Sequence, residues 1–132
     1  MGNFSVLRQL KFVGSSKRNL SSFPEPVKQD IGHALYVAQQ GGRAASVKTF
    51  KGFGGGGVVE IIEDFDSDTY RCVYTTKLES AVFVLHAFQK KSKHGIATPQ
   101  HDMDLIKQRL KDAANIDSGN EQKRTNIESD HE

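Results

Sequence analysis

Apolar and polar positions change period several times along the chain, and each change marks an element. Val6 to Val13 (VLRQLKFV) reads as a first strand, ended by Gly14. Ser15 or Ser16 can cap a short helix that carries Leu20 and Phe23 on one side. Pro24 and Pro26 break that helix and open a second. In it Val27, Ile31, Leu35 and Ala38 recur at helical spacing until Gly41-Gly42 ends the run. So short a link predicts an antiparallel helical hairpin.

The period then shortens to that of strands. Val58 to Glu63 (VVEIIE), Thr69 to Thr76 (TYRCVYTT) and Ala81 to Phe88 (AVFVLHAF) are separated by short polar connections, which predicts consecutive antiparallel hairpins. Thr98-Pro99 offers an N-cap and N1 proline for a last helix, striped by Met103, Ile106, Leu110 and Ala113. From Asn115 the chain is polar except for Ile116 and Ile127. The reading is a β-α-α-β-β-β-α domain of α+β class over residues 1–114, followed by an acidic, disordered tail over residues 115–132.

Composition narrows the class. At 132 residues, 36% hydrophobic and 26% charged, the chain is one soluble globular domain. No window approaches a membrane span, and Met1 to Val13 lacks a signal peptide's apolar core, so cytoplasmic residence is expected. The single Cys72 excludes an internal disulfide framework. Net charge is +2, unevenly placed: residues 115–132 set Lys123 and Arg124 against five carboxylates, a balance of −3, leaving +5 on residues 1–114. A basic body points to a polyanionic partner.

Three local sequences carry a family resemblance. Lys48 to Gly54 (KTFKGFG) forms a basic loop before the second strand. Gly57 to Tyr74 (GVVEIIEDFDSDTYRCVY) sets an acidic strand before a Tyr-Arg strand, and His86 to Pro99 (HAFQKKSKHGIATP) ends the sheet in cations. In this order, between these elements, they resemble toxins of the RelE/ParE/HigB superfamily, most nearly its phage-derived, HigB-like branch. The resemblance covers about residues 6–114. It implies a RelE-like fold: an antiparallel sheet, the helical hairpin on one face, and a C-terminal helix. It also implies a metal-independent endoribonuclease without cofactor, cleaving mRNA on the ribosome and silenced by a cognate antitoxin, commonly a helix-turn-helix protein. Two alternatives stay open: a ParE-like inhibitor of DNA gyrase that cleaves nothing, and a degenerate module that binds only RNA or antitoxin. The HAFQKKS cluster favours the nuclease, because an inhibitor needs no ordered set of phosphate ligands.

Metal-free RNA cleavage needs a base for the 2′-hydroxyl, fixed cations for the phosphorane charge, and an acid for the 5′-oxygen. Strand alternation puts Arg71, Val73 and Thr75 on one face and Tyr70, Cys72 and Tyr74 on the other. Arg71 suits a scissile phosphate, or a salt bridge to Glu60 or Glu63, and both can hold. Of Lys90 and Lys91 one reaches the site face. The resemblance assigns Lys91 the catalytic basic position, while Lys90 serves catalysis or a phosphate-binding rim. Lys48, Lys51, Lys93 and His94 are RNA-binding candidates. Where RelE carries strand lysines this chain has Glu60 and Ile62, which leaves Lys51 as a substitute base. His86 is a proton-transfer candidate or a core histidine, and His94 and His101 are alternative acids, since no tyrosine follows Tyr74.

Three other motifs lead elsewhere. Gly52 to Gly57 (GFGGGG) lacks the Gly-Lys-Ser/Thr of a phosphate loop. Asp64, Asp66 and Asp68 lack the glycine and glutamate of a calcium loop and read as a hairpin turn. Cys72 reads as a small buried hydrophobe.

Overall fold

Side chains alternate along the long strands, so one sheet presents two apolar faces, and helices cover both. The computed structural model describes residues 7–53, 57–91 and 98–119. Its elements are β1 (Gln9–Phe12), α1 (Ser16–Ser21), α2 (Glu25–Gln39), β2 (Val47–Thr49), β3 (Val58–Phe65), β4 (Asp68–Thr75), β5 (Ala81–Lys91) and α3 (Gln100–Ser118). The strand order is β1-β5-β4-β3-β2. Strands β2 to β5 pair antiparallel, and β1 joins β5 in parallel with Gln9 opposite Ala81. The fold is α+β, as the order of elements predicts.

The stripe of α2 packs on one face, where Val27, Ile31 and Leu35 meet Ile61, Cys72, Tyr74, Val82 and Val84. The other face receives α3, with Ile106 and Ala113 against Val58, Val73, Phe83 and Leu85. Between β3 and β4, Asp66 and Ser67 take φ of 54° and 72°, the left-handed pair of a two-residue hairpin turn.

The parallel pairing of β1 departs from the wholly antiparallel sheet expected, and three further features depart from what the sequence predicts. The first is β2, expected to be loop: Val47 is buried opposite Ile61, but three residues are too few to show a period. The second is the start of α3, where Pro99, not Thr98, is the N-cap and no side chain caps the turn. The third is its end. The boundary expected at Ala114 falls inside α3, because Ile116 packs on the core and Asp117 accepts the backbone N–H of Glu79 (3.3 Å) and Ser80 (2.6 Å). Gly119, at φ 82°, closes the helix, and the tail beyond it lies outside the described residues.

One irregularity shapes the site's surroundings. The β4–β5 register steps from Val73↔His86 to Tyr74↔Val84, so Leu85 is the extra residue of a bulge. The buried Arg109 of α3 donates from Nη1 to the Leu85 carbonyl (3.0 Å) and from Nη2 to Ser15 Oγ (2.9 Å). Its guanidinium fills the space beside Gly14, where a Cβ would lie 2.8 Å from Nε and φ is +59°.

Candidate functional site

Beyond the first turn of α3 no described helix covers the same sheet face, and its polar residues gather there. Glu60 and Ile62 of β3, Arg71 of β4 and Lys90 of β5 line a cleft of about 830 Å³. Lys48 of β2 (opposite Glu60), Lys51 of the following turn, Thr98 and Met103 also line it. Gly52, at φ 99°, lets the turn pass beneath α3, since a Cβ there would stand 2.9 Å from Met103 Cε. Four cations thus face one carboxylate, an arrangement suited to a bound polyanion.

Arg71 and Glu60 form the centre of the cleft. Register pairs Arg71 with Ile62 and Glu60 with Val73, so the two are diagonal neighbours on one face. Arg71 Nη1 donates to Glu60 Oε1 at 2.9 Å, with side-chain exposures of 20% and 10%. Arg71 Nε is buried and has no hydrogen-bond partner among the described residues. Lys90 feels both neighbours. Burial lowers its pKa and the Arg71 charge lowers it further, against the opposing pull of Glu60.

His86 is elsewhere. It is 6% exposed, its Nε2 lies 2.7 Å from Asp102 Oδ1, and its ring stacks on Phe88 with centroids 5.0 Å apart. It borders a separate cavity of about 510 Å³ with Asn19, Ser22, Tyr70 and Gln89. The structure therefore brings Lys48, Lys51, Arg71 and Lys90 together and leaves His86 outside. Lys91 ends β5 in register with Asp68. Its side chain, together with Lys93 and His94, lies outside the described residues. The Cys72 thiol is pushed up to about 12 by burial, which removes it as a nucleophile. Among the described residues no group of three or more His, Cys, Asp or Glu could hold a metal ion.

A family model, Phage derived protein Gp49-like (DUF891), matches residues 18–111. The chain belongs to this family. It is a family of RelE/HigB-like toxins, and the match contains every residue of the cleft. No curated protein and no solved structure matches the chain. In this Gp49-like chain no helix among the described residues is long and apolar enough to cross a membrane.

From the sequence Glu60 enters the site only as a partner for Arg71. A signal for more was present: Glu60 is the inward carboxylate of an otherwise apolar stretch, and it is 8% exposed. The walls formed by Ile62 and Met103 carried no such signal, because either reads equally well as core.

Proposed function

We propose that this Gp49-like protein is the toxin of a toxin–antitoxin pair and an endoribonuclease, with the Glu60–Arg71–Lys90 cleft as its catalytic centre. The observation that carries this reading is the convergence of Lys48, Lys51, Arg71 and Lys90 around one carboxylate in a single cleft. Such a surface offers fixed donors to phosphate charge and a base beside them.

In the proposed reaction Glu60 takes the 2′-hydroxyl proton and O2′ attacks the phosphorus. Arg71, drawn from Glu60 to the phosphate, stabilises the added negative charge. The P–O5′ bond breaks, and the ammonium of Lys90 gives O5′ its proton. The products are a 2′,3′-cyclic phosphate and a 5′-hydroxyl. A lysine whose pKa is lowered is the better acid for that last step. Lys48 and Lys51 hold the flanking backbone, as Lys93 and His94 do in this reading. Lys91, the position matched to the family's catalytic cation, is the alternative to Lys90. Side-chain cations take the role a metal would fill, and the substrate is mRNA on the ribosome. The partner is a small antitoxin, of helix-turn-helix type.

Expression of the chain alone should arrest growth, and co-expression of the adjacent gene should relieve it. The deciding assay maps cuts in ribosome-bound mRNA by primer extension beside a gyrase supercoiling assay. RNA left intact while gyrase is inhibited would replace this reading with the ParE-like one.

A further inference from the structure

His86 is buried, polar, stacked and hydrogen-bonded, yet the cleft does not contain it. We infer that His86 is a positioning residue: through Asp102 it ties the first turn of α3 to β5 and so sets the Met103 wall of the cleft. The inference rests on the nuclease reading for what the cleft holds, but not for the tie itself.

The first turn of α3 meets the sheet through the packing of Met103 and through one side-chain hydrogen bond. Its N-cap is Pro99 and no side chain caps it, so the bond from Asp102 to His86 anchors the turn to the sheet. Asp102 directly precedes Met103, whose side chain lines the cleft against Gly52. His86 is itself held at both ends. Phe88 stacks on its ring, and the preceding Leu85 carbonyl is gripped by Arg109. A shift of His86 therefore moves Asp102, and Met103 with it.

The bonding pattern also selects a protonation state. His86 Nδ1 is buried without a partner among the described residues, while Nε2 faces a carboxylate. The state that fits is the neutral ring with its proton on Nε2, donated to Asp102. A proton on Nδ1 would be a buried donor with no acceptor. The charged or titratable groups around the ring are Asp102, His101 and Arg109.

The test compares His86→Gln, His86→Phe and Asp102→Ala in the full chain. The glutamine amide can place an N–H donor where Nε2 now lies; phenylalanine cannot. The first readout is amide hydrogen exchange over residues 103–106 of the free protein, whose N–H groups close the first turn. The others are affinity for an RNA oligonucleotide made uncleavable by 2′-deoxy substitution, and the single-turnover cleavage rate at saturating RNA. His86→Phe and Asp102→Ala should speed exchange in that turn about tenfold, the equivalent of one hydrogen bond to a charged group. Both should weaken RNA binding while leaving the saturated rate nearly unchanged. His86→Gln should restore the wild-type values, and the double variant should be no worse than either single.

Unchanged exchange in His86→Phe, or a glutamine variant as loose as the phenylalanine one, would overturn the inference. So would a large loss of saturated rate at unchanged affinity, which would make His86 catalytic. Should His86→Phe fail to fold, the Asp102→Ala and His86→Gln pair decides alone. If the wild type neither binds nor cuts RNA, the nuclease reading fails while the exchange arm still judges the tie.

Discussion

Arg71 Nη1 on β4 lies 2.9 Å from Glu60 Oε1 on β3, and neither side chain is more than 20% exposed. Removing one partner of this part-buried pair leaves the other's charge without its partner and costs stability. Alanine at either position therefore mixes stability with chemistry. Glu60→Gln is the cleaner change, because its carbonyl still accepts from Arg71 but it is no longer a base. It should melt close to wild type and lose roughly 10²–10⁴-fold in single-turnover RNA cleavage. A glutamine variant that cuts at the wild-type rate removes Glu60 as the base.

Arg71 and Lys90 face the same cleft and should act on one transition state. Losing either donor should cost roughly 10²–10³-fold in cleavage. The double variant Arg71→Ala/Lys90→Ala should be less harmful than the product of the singles, as for groups that serve one step. Lys91→Ala, measured beside them, decides which lysine of the pair acts. Lys17→Ala on α1 and Lys28→Ala on α2 should change cleavage little. Multiplicative losses would mean two independent contacts.

Much of this arrangement was legible in the residues. VVEIIE, TYRCVYTT and AVFVLHAF alternate over enough positions to show their strands, and that alternation already sends Arg71 away from Tyr70 and Cys72. The stripes of α2 and α3 were visible for the same reason. What stayed hidden depends on partners distant in the chain. The three residues of β2 become a strand only beside β3, and the parallel pairing of β1 brings Gln9 beside the distant Ala81 of β5. The last turn of α3 is polar and looks like tail, but Asp117 is held by backbone N–H groups of the β4–β5 turn. His86 shows the limit most clearly. Proton donor and core histidine are equal readings on β5 until Asp102, on another element, comes within 2.7 Å.

The end of α3 gives a stability prediction. A chain stopped after Asn115 loses Ile116 from the core and Asp117 from the β4–β5 turn. Its thermal midpoint should drop by roughly 3–6 °C. A chain stopped after Gly119 keeps both contacts and should melt like the full protein. Equal melting of the two truncations would show that the last turn of α3 contributes nothing.

The buried imidazole predicts how stability follows pH. Burial is the main cause holding the His86 pKa below its ordinary 6.5; Asp102 opposes it, and Arg109 and His101 add to the lowering. As pH falls through 6.5 the unfolded chain takes up this proton first, while the folded chain still excludes it. The unfolded state then binds more protons, so stability falls with pH. The contribution is complete above 6.5, declines between 6.5 and the lower folded pKa, and is level below that. One proton can give at most about 1.4 kcal/mol per pH unit. Glu63 works in the opposite direction: burial and the nearby Asp30 raise its pKa above 4.5, so it favours the folded state as pH falls toward that value. Comparing wild type with His86→Gln cancels Glu63 and isolates the histidine. Thermal midpoints taken between pH 7.5 and 5 should fall more steeply for wild type than for the variant. Parallel curves would mean that His86 takes up its proton as readily folded as unfolded, and the neutral Nε2–H donor to Asp102 would have to be abandoned.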